Sequence, residues 1–136
     1  MKNSISNQVC NHLEFLGYKV EDLSGDGETD VIVGKHDKRS NLILRITKNN
    51  TILLSARYSV SKSNKIITEK FLNVLNSVNS KSLFTKWYYE EDVEHTITLC
   101  IETFALNYDK QAFGSIVDTI EAEVLEYMKE FTEFSE

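Results

Sequence analysis

Three histidines, two cysteines and one acidic, glycine-bearing turn are the residues of this 136-residue chain whose types could support chemistry. A nucleophile needs a base beside it, acid–base work needs paired carboxylates in a cleft, and a metal needs clustered ligands. His12, His36 and His95 fall on three different segments, and no His or Cys pair has the spacing of a zinc site. A Gly-x-Ser-x-Gly nucleophile turn is absent. Cys10 and Cys100 lie far apart within apolar periodic patterns, which predicts two small buried hydrophobes in a reducing compartment.

The stretch SGDGETD invites two motif readings, and the residues fail both. As a calcium loop, Asp22, Ser24, Asp26 and Gly27 fit the first positions, but Val33 stands where a bidentate Glu is required. As a dinucleotide fingerprint, Gly25 and Gly27 fit, but Asp30 replaces the third glycine and a strand follows instead of a helix. A solvated hairpin turn accounts for it better. His36, Lys38 and Arg39 make a small basic loop tip, also read as solvated. The sequence therefore predicts no catalytic residue, no cofactor and no metal.

The elements around these residues are easier to place. Val9, Leu13 and Leu16 recur at helical spacing from Ser4 to Leu16, with Ser4 or Ser6 as cap and Gly17 as a left-handed stop. Tyr18 to Leu23 reads as a short strand and Val31 to Lys35 as the next. Leu42 to Thr47 and Thr51 to Tyr58 form a hairpin across Lys48-Asn49-Asn50, where Asn tolerates positive φ. Strand parity puts Leu42, Leu44, Ile46, Ile52, Leu54, Ala56 and Tyr58 on one face. Ile43, Arg45, Thr47, Leu53, Ser55 and Arg57 share the other face, which mixes apolar and cationic side chains.

A second helix is predicted from Ser61 or Ser63 to about Ser77 on the stripe Ile67, Phe71, Val74, Leu75 and Val78. Asn73, Asn76 and Asn79 should fray its end. Leu83 to Tyr89 then pairs with His95 to Phe104 through an acidic turn, with Ile97, Leu99 and Ile101 inward. Trp87, Tyr88 and Tyr89 must place aromatics on both faces, so at least one is exposed or held at an interface. Asp109 caps a last helix, Tyr108 and Phe113 staple it, and its apolar stripe runs to Phe131. Glu121, Glu123, Glu126, Glu130 and Glu133 load its predicted solvated side.

Twenty-one Asp and Glu against 15 Lys and Arg give a net charge of −6, which argues against a nucleic-acid binder. No apolar run approaches the roughly 20 residues that span a bilayer. The N-terminal stretch lacks a secretory signal, so the cytoplasm is the expected location. The expectation is one domain over residues 1–136, α+β, with an antiparallel sheet, helices packed on one face, and the order α-β-β-β-α-β-β-α.

That order, together with the stretches LEFLGYKVED, LNSVNSKSLFTKWYYEED and NYDKQAF, resembles the YbjN-like family and its structural relatives, the type III secretion chaperones. The resemblance covers nearly the whole chain and includes Asn76 and Asn79 near a helix exit. It implies a noncatalytic module that binds other polypeptides, often as a dimer. Secretion chaperones of this kind are small, acidic, cytoplasmic homodimers that hold an extended effector segment. The expected function is thus a chaperone or regulatory adaptor, with Ile43, Arg45, Leu53, Arg57, Trp87 and Tyr88 as candidate partner-binding residues. The same surface could instead form a homodimer. A small-molecule sensor or regulator is the alternative, and an enzyme whose site converges only in the fold is a third.

Overall fold

The computed structural model of the protein describes residues 4–23, 29–62 and 68–134. Its elements are α1 (Ser4–Phe15), β1 (Lys19–Asp22), β2 (Asp30–Lys35), β3 (Leu42–Ile46), β4 (Ile52–Lys62), α2 (Glu69–Lys81), β5 (Lys86–Glu91), β6 (Thr96–Ala105) and α3 (Lys110–Tyr127). A 3-10 segment, Met128–Phe134, continues α3. The six strands form one antiparallel sheet in the order β1-β2-β3-β4-β6-β5. The expected α+β class and element order are what the chain adopts, with the short leading strand included.

Strand parity builds the sheet's two faces. Inward residues Ile32, Leu44, Leu54, Ile97, Leu99 and Ile101 are fully buried. They meet Val9 and Leu13 of α1, Phe71 and Val78 of α2, and Phe113, Val117 and Ile120 of α3. Each such side chain contributes about 1.5–3 kcal/mol through its burial. The helices therefore cover one face, as the apolar stripes predict.

Local signals explain most boundaries. Gly17 ends α1 at φ 96°, Asn50 turns the β3–β4 hairpin at φ 68°, and Asp109 accepts a 2.9 Å hydrogen bond from the Ala112 amide as N-cap of α3. Tyr108 and Phe113 meet with ring centroids 5.7 Å apart, completing the staple. Both cysteines are buried free thiols.

Several boundaries differ from expectation. The Ser-rich stretch after Tyr58 stays in β4, through an irregularity at Val60 where Ser59 pairs with Thr98 and Ser61 with Ile97. Helix α2 is capped by Thr68, whose side chain accepts from the Phe71 amide, so Ser61 is no helix start. The alternative start at Ser63, and Ser24 to Gly27 of the rejected motifs, lie outside the described residues. Ser6 does not cap α1: its buried hydroxyl donates to Asp30 on β2. Asn79 does not fray α2, which continues to Lys81, and Leu83 and Phe84 precede β5 as an exposed loop.

The acidic side of α3 is also more than a solvated face. Glu123 is buried, Glu121 accepts from the Ser40 amide at 3.1 Å, and Glu133 pairs with Lys70 at 2.7 Å. Asp118 holds Arg39 at 3.1 Å, so the basic tip is tied down in part.

Candidate functional site

Pairing registers set the uncovered side of the sheet out in rows. Val31, Arg45, Leu53 and Phe104 are successive cross-strand partners on β2, β3, β4 and β6. At about 4.8 Å between strands, that row spans roughly 14 Å. The next row is Val33, Ile43, Ser55, Glu102 and Lys86. A third joins Arg57, Cys100 and Tyr88. Five of the six candidate residues, Ile43, Arg45, Leu53, Arg57 and Tyr88, thus share one face.

Trp87 is the exception and corrects the expectation. It points inward from Ile101's position, is 1% exposed, and stacks on Phe131 at 5.8 Å with the planes 9° apart. Tyr89 also points inward, edge-on to Phe71. Of the three adjacent aromatics only Tyr88 belongs to the outer face.

The two halves of that face differ electrostatically. On the β5–β6 side the charged groups pair with one another, while the buried Arg57 Nε has no hydrogen-bond partner among the described residues. Arg57 pairs with Glu90 at 3.1 Å, Tyr88 donates to Glu102 at 2.6 Å, and Lys86 lies 3.8 Å from Glu102 and 5.0 Å from the Tyr88 ring centre. These side chains roof Cys100, which is fully buried although it faces outward. Burial pushes its thiol pKa up against the opposing pull of Arg57. Burial, and then the hydrogen bond to Glu102, push the Tyr88 phenol up as well. Neither group ionises near neutrality.

The β2–β4 side is open. Val31, Val33, Ile43 and Leu53 are half-buried, Phe104 is 58% exposed, and Arg45 makes no ion pair among the described residues. A groove of about 350 Å³ runs beside them, lined by Leu53, Leu83, Phe84, Thr85, Glu102 and Phe104.

Glu123 sets the wall of this groove from the opposite side of the molecule. Its carboxylate accepts from the amides of Leu83 (2.9 Å), Phe84 (3.3 Å) and Thr85 (3.1 Å), and from the Thr85 hydroxyl at 2.6 Å. That hydroxyl accepts in turn from the Trp87 indole at 2.8 Å. The three successive amides of Leu83, Phe84 and Thr85 are aimed at one carboxylate, which leaves the Leu83 and Phe84 side chains turned outward at 81% and 63% exposure.

Sequence reasoning missed Val31, Val33, Leu83, Phe84, Phe104 and Glu123. The parity that set Thr98 and Glu102 outward also carries Phe104 outward. No comparable signal marks Glu123.

The histidines are dispersed. His12 on α1 shares a 3.0 Å hydrogen bond with Tyr108, His36 accepts from the Lys38 and Arg39 amides, and His95 sits in the β5–β6 turn beside Glu91. Among the described residues no group of His, Cys, Asp and Glu could hold a metal ion. No helix among them is long and apolar enough to cross a membrane.

Comparison with solved structures decides the fold. YbjN from E. coli, described as a candidate transcription regulator, superposes with a TM-score of 0.72 at 16% identity, covering 94% of this chain and 91% of that one. This chain has the YbjN fold. An uncharacterised protein from Methanothermobacter thermautotrophicus has it too, with a TM-score of 0.69, 10% identity, and coverage of 96% and 99%. No protein-family model and no curated protein matches the sequence. At these identities the YbjN fold is what is shared, and the open face has to be read from this chain's own residues.

Proposed function

We propose that this protein is a noncatalytic binding module, a chaperone or regulatory adaptor of the cytoplasm, which holds a polypeptide segment of a partner on the open half of its sheet. The carrying observation is that half face: apolar rows with one unpaired cation, bordered by a groove and covered by no helix among the described residues. Its chemistry suits an apolar segment with an acidic side chain placed to meet Arg45. Docking on the face is favoured over strand addition at β5, because Asn79 already occupies the free backbone edge of Trp87. The regulatory role given for E. coli YbjN is in keeping with an adaptor.

The test is a double substitution, Ile43→Asp with Leu53→Asp, in a tagged chain purified from its host at moderate salt. Wild type should carry a stoichiometric companion whose recombinant segment rebinds it. The variant should lose the companion while keeping the wild-type circular dichroism and urea midpoint. Retention of the companion by the variant sinks the placement. A wild-type dimer that becomes a monomer, with no companion in either, replaces the partner by a second copy.

A further inference from the structure

The helical side of the molecule carries a second concavity, which the sheet-face reading does not use. Helix α1 crosses the start of α3 there, and His12 is wedged between two aromatics. Its Nδ1 lies 3.0 Å from the Tyr108 hydroxyl, and its ring centre is 5.1 Å from that of Phe113. Burial and the Lys110 charge hold its pKa below the usual value, so the imidazole is neutral at neutral pH. Beside it opens a cleft of about 410 Å³, lined by Gln8, Asn11, His12, Phe15, Tyr108 and Lys110.

Three features of this lining point to a ligand. Phe15 is 85% exposed, so a whole ring stands at the cleft with no core to fill. Tyr108 supplies a second aromatic wall, fixed by its bond to His12 and its contact with Phe113. The charge is the third. In a chain with 21 acidic and 15 basic residues, the described residues that line this cleft include one cation and no carboxylate. Lys110 makes no ion pair among the described residues, and the neighbouring Asp109 carboxylate is spent on the Ala112 amide. The volume is at the low end of the range of about 300–1,000 Å³ that takes small organic molecules.

We infer that this cleft is a binding site for a small aromatic carboxylate, its ring against Phe15 and Tyr108, its anion on Lys110, and the carboxamides of Gln8 and Asn11 at the rim. The site lies on the helical layer and stands whether or not the sheet face binds a polypeptide.

The test compares three probes of one shape on the full chain: 1-naphthoate, 1-naphthalenemethanol and 1-naphthylmethylamine. Calorimetry gives their affinities, and amide chemical shifts locate them. Naphthoate is expected to bind at least tenfold more tightly than the amine, with shifts confined to residues 8–15 and 108–114. Lys110→Glu should weaken naphthoate at least tenfold and strengthen the amine, and Phe15→Ala should weaken all three probes. Both side chains are exposed, so melting temperatures should match wild type. No naphthoate binding at millimolar probe, equal affinity for the three, shifts elsewhere, or indifference to Lys110→Glu overturns the assignment.

Discussion

The side chain of Asn79 brackets the backbone of Trp87: its Oδ1 accepts from the Trp87 amide at 2.8 Å and its Nδ2 donates to the Trp87 carbonyl at 2.7 Å. One carboxamide on α2 thus imitates a neighbouring strand at the outer edge of β5. Edge strands otherwise offer such groups to any passing chain.

Asn79→Ala should therefore cost about 1–3 kcal/mol, the penalty for leaving partly buried backbone groups unmatched. It should also raise the tendency to self-associate. Urea unfolding and concentration-dependent light scattering read the two effects. A variant as stable and as monodisperse as wild type removes the edge-capping role.

The Glu123 carboxylate gathers four donors, and charge-assisted bonds are among the stronger ones. Glu123→Gln keeps the size but turns a donor towards the Leu83 amide, so it should destabilise by roughly 1.5–3 kcal/mol. Limited proteolysis should show faster cleavage around Leu83 and Phe84. Unchanged protection there contradicts the idea that this residue shapes the groove wall.

Alkaline pH should weaken the fold. Burial raises the pKa of the Tyr18, Tyr58 and Tyr88 phenols above 10.0 and of the Cys100 thiol above 9.0. Each group keeps its proton more firmly folded than unfolded. Their contribution is complete below the ordinary values and is lost as pH climbs from there through the folded values. The urea midpoint should be level up to about pH 9 and fall beyond it, with a shallower fall in Tyr88→Phe. An identical slope in that variant assigns the effect elsewhere.

Gly17→Ala should destabilise by about 1 kcal/mol or more, because φ is 96° there and an added Cβ would meet the His36 ring at 3.0 Å. His36 holds the Lys38 and Arg39 amides, so that loop should show faster amide exchange in the variant. Loss of stability without altered exchange in the loop confines the effect to backbone strain.

What the sequence made legible followed its local signals. Asp109, Tyr108 and Phe113 act within a few residues of one another, so the start of α3 could be placed exactly where it occurs by its cap and staple. Parity along β3 and β4 likewise sorted Ile43, Arg45, Leu53 and Arg57 onto one face. Distant partners defeated the same approach. Leu83 and Phe84 have the composition of a strand, and only a carboxylate 40 positions away from Leu83 holds their amides off the sheet. Asn79 is a poor helix-interior residue by propensity, and its bonds to Trp87 outweigh that preference. For Trp87, Tyr88 and Tyr89, alternation allows two opposite assignments, and pairing with Ile101, Cys100 and Leu99 selects one.

The strand order also sets a timetable for synthesis. β4 sits mid-sheet, yet its neighbour β6 leaves the ribosome only after α2 and β5 have been made. The inner surface stays largely bare still longer, because α3 and Phe131, which seal it, come later again. A growing chain must hold a half-built, apolar sheet through that interval, when wrong pairings compete most strongly. During that interval the bare inner face, more than any surface of the finished fold, is where the growing chain is exposed to misassociation.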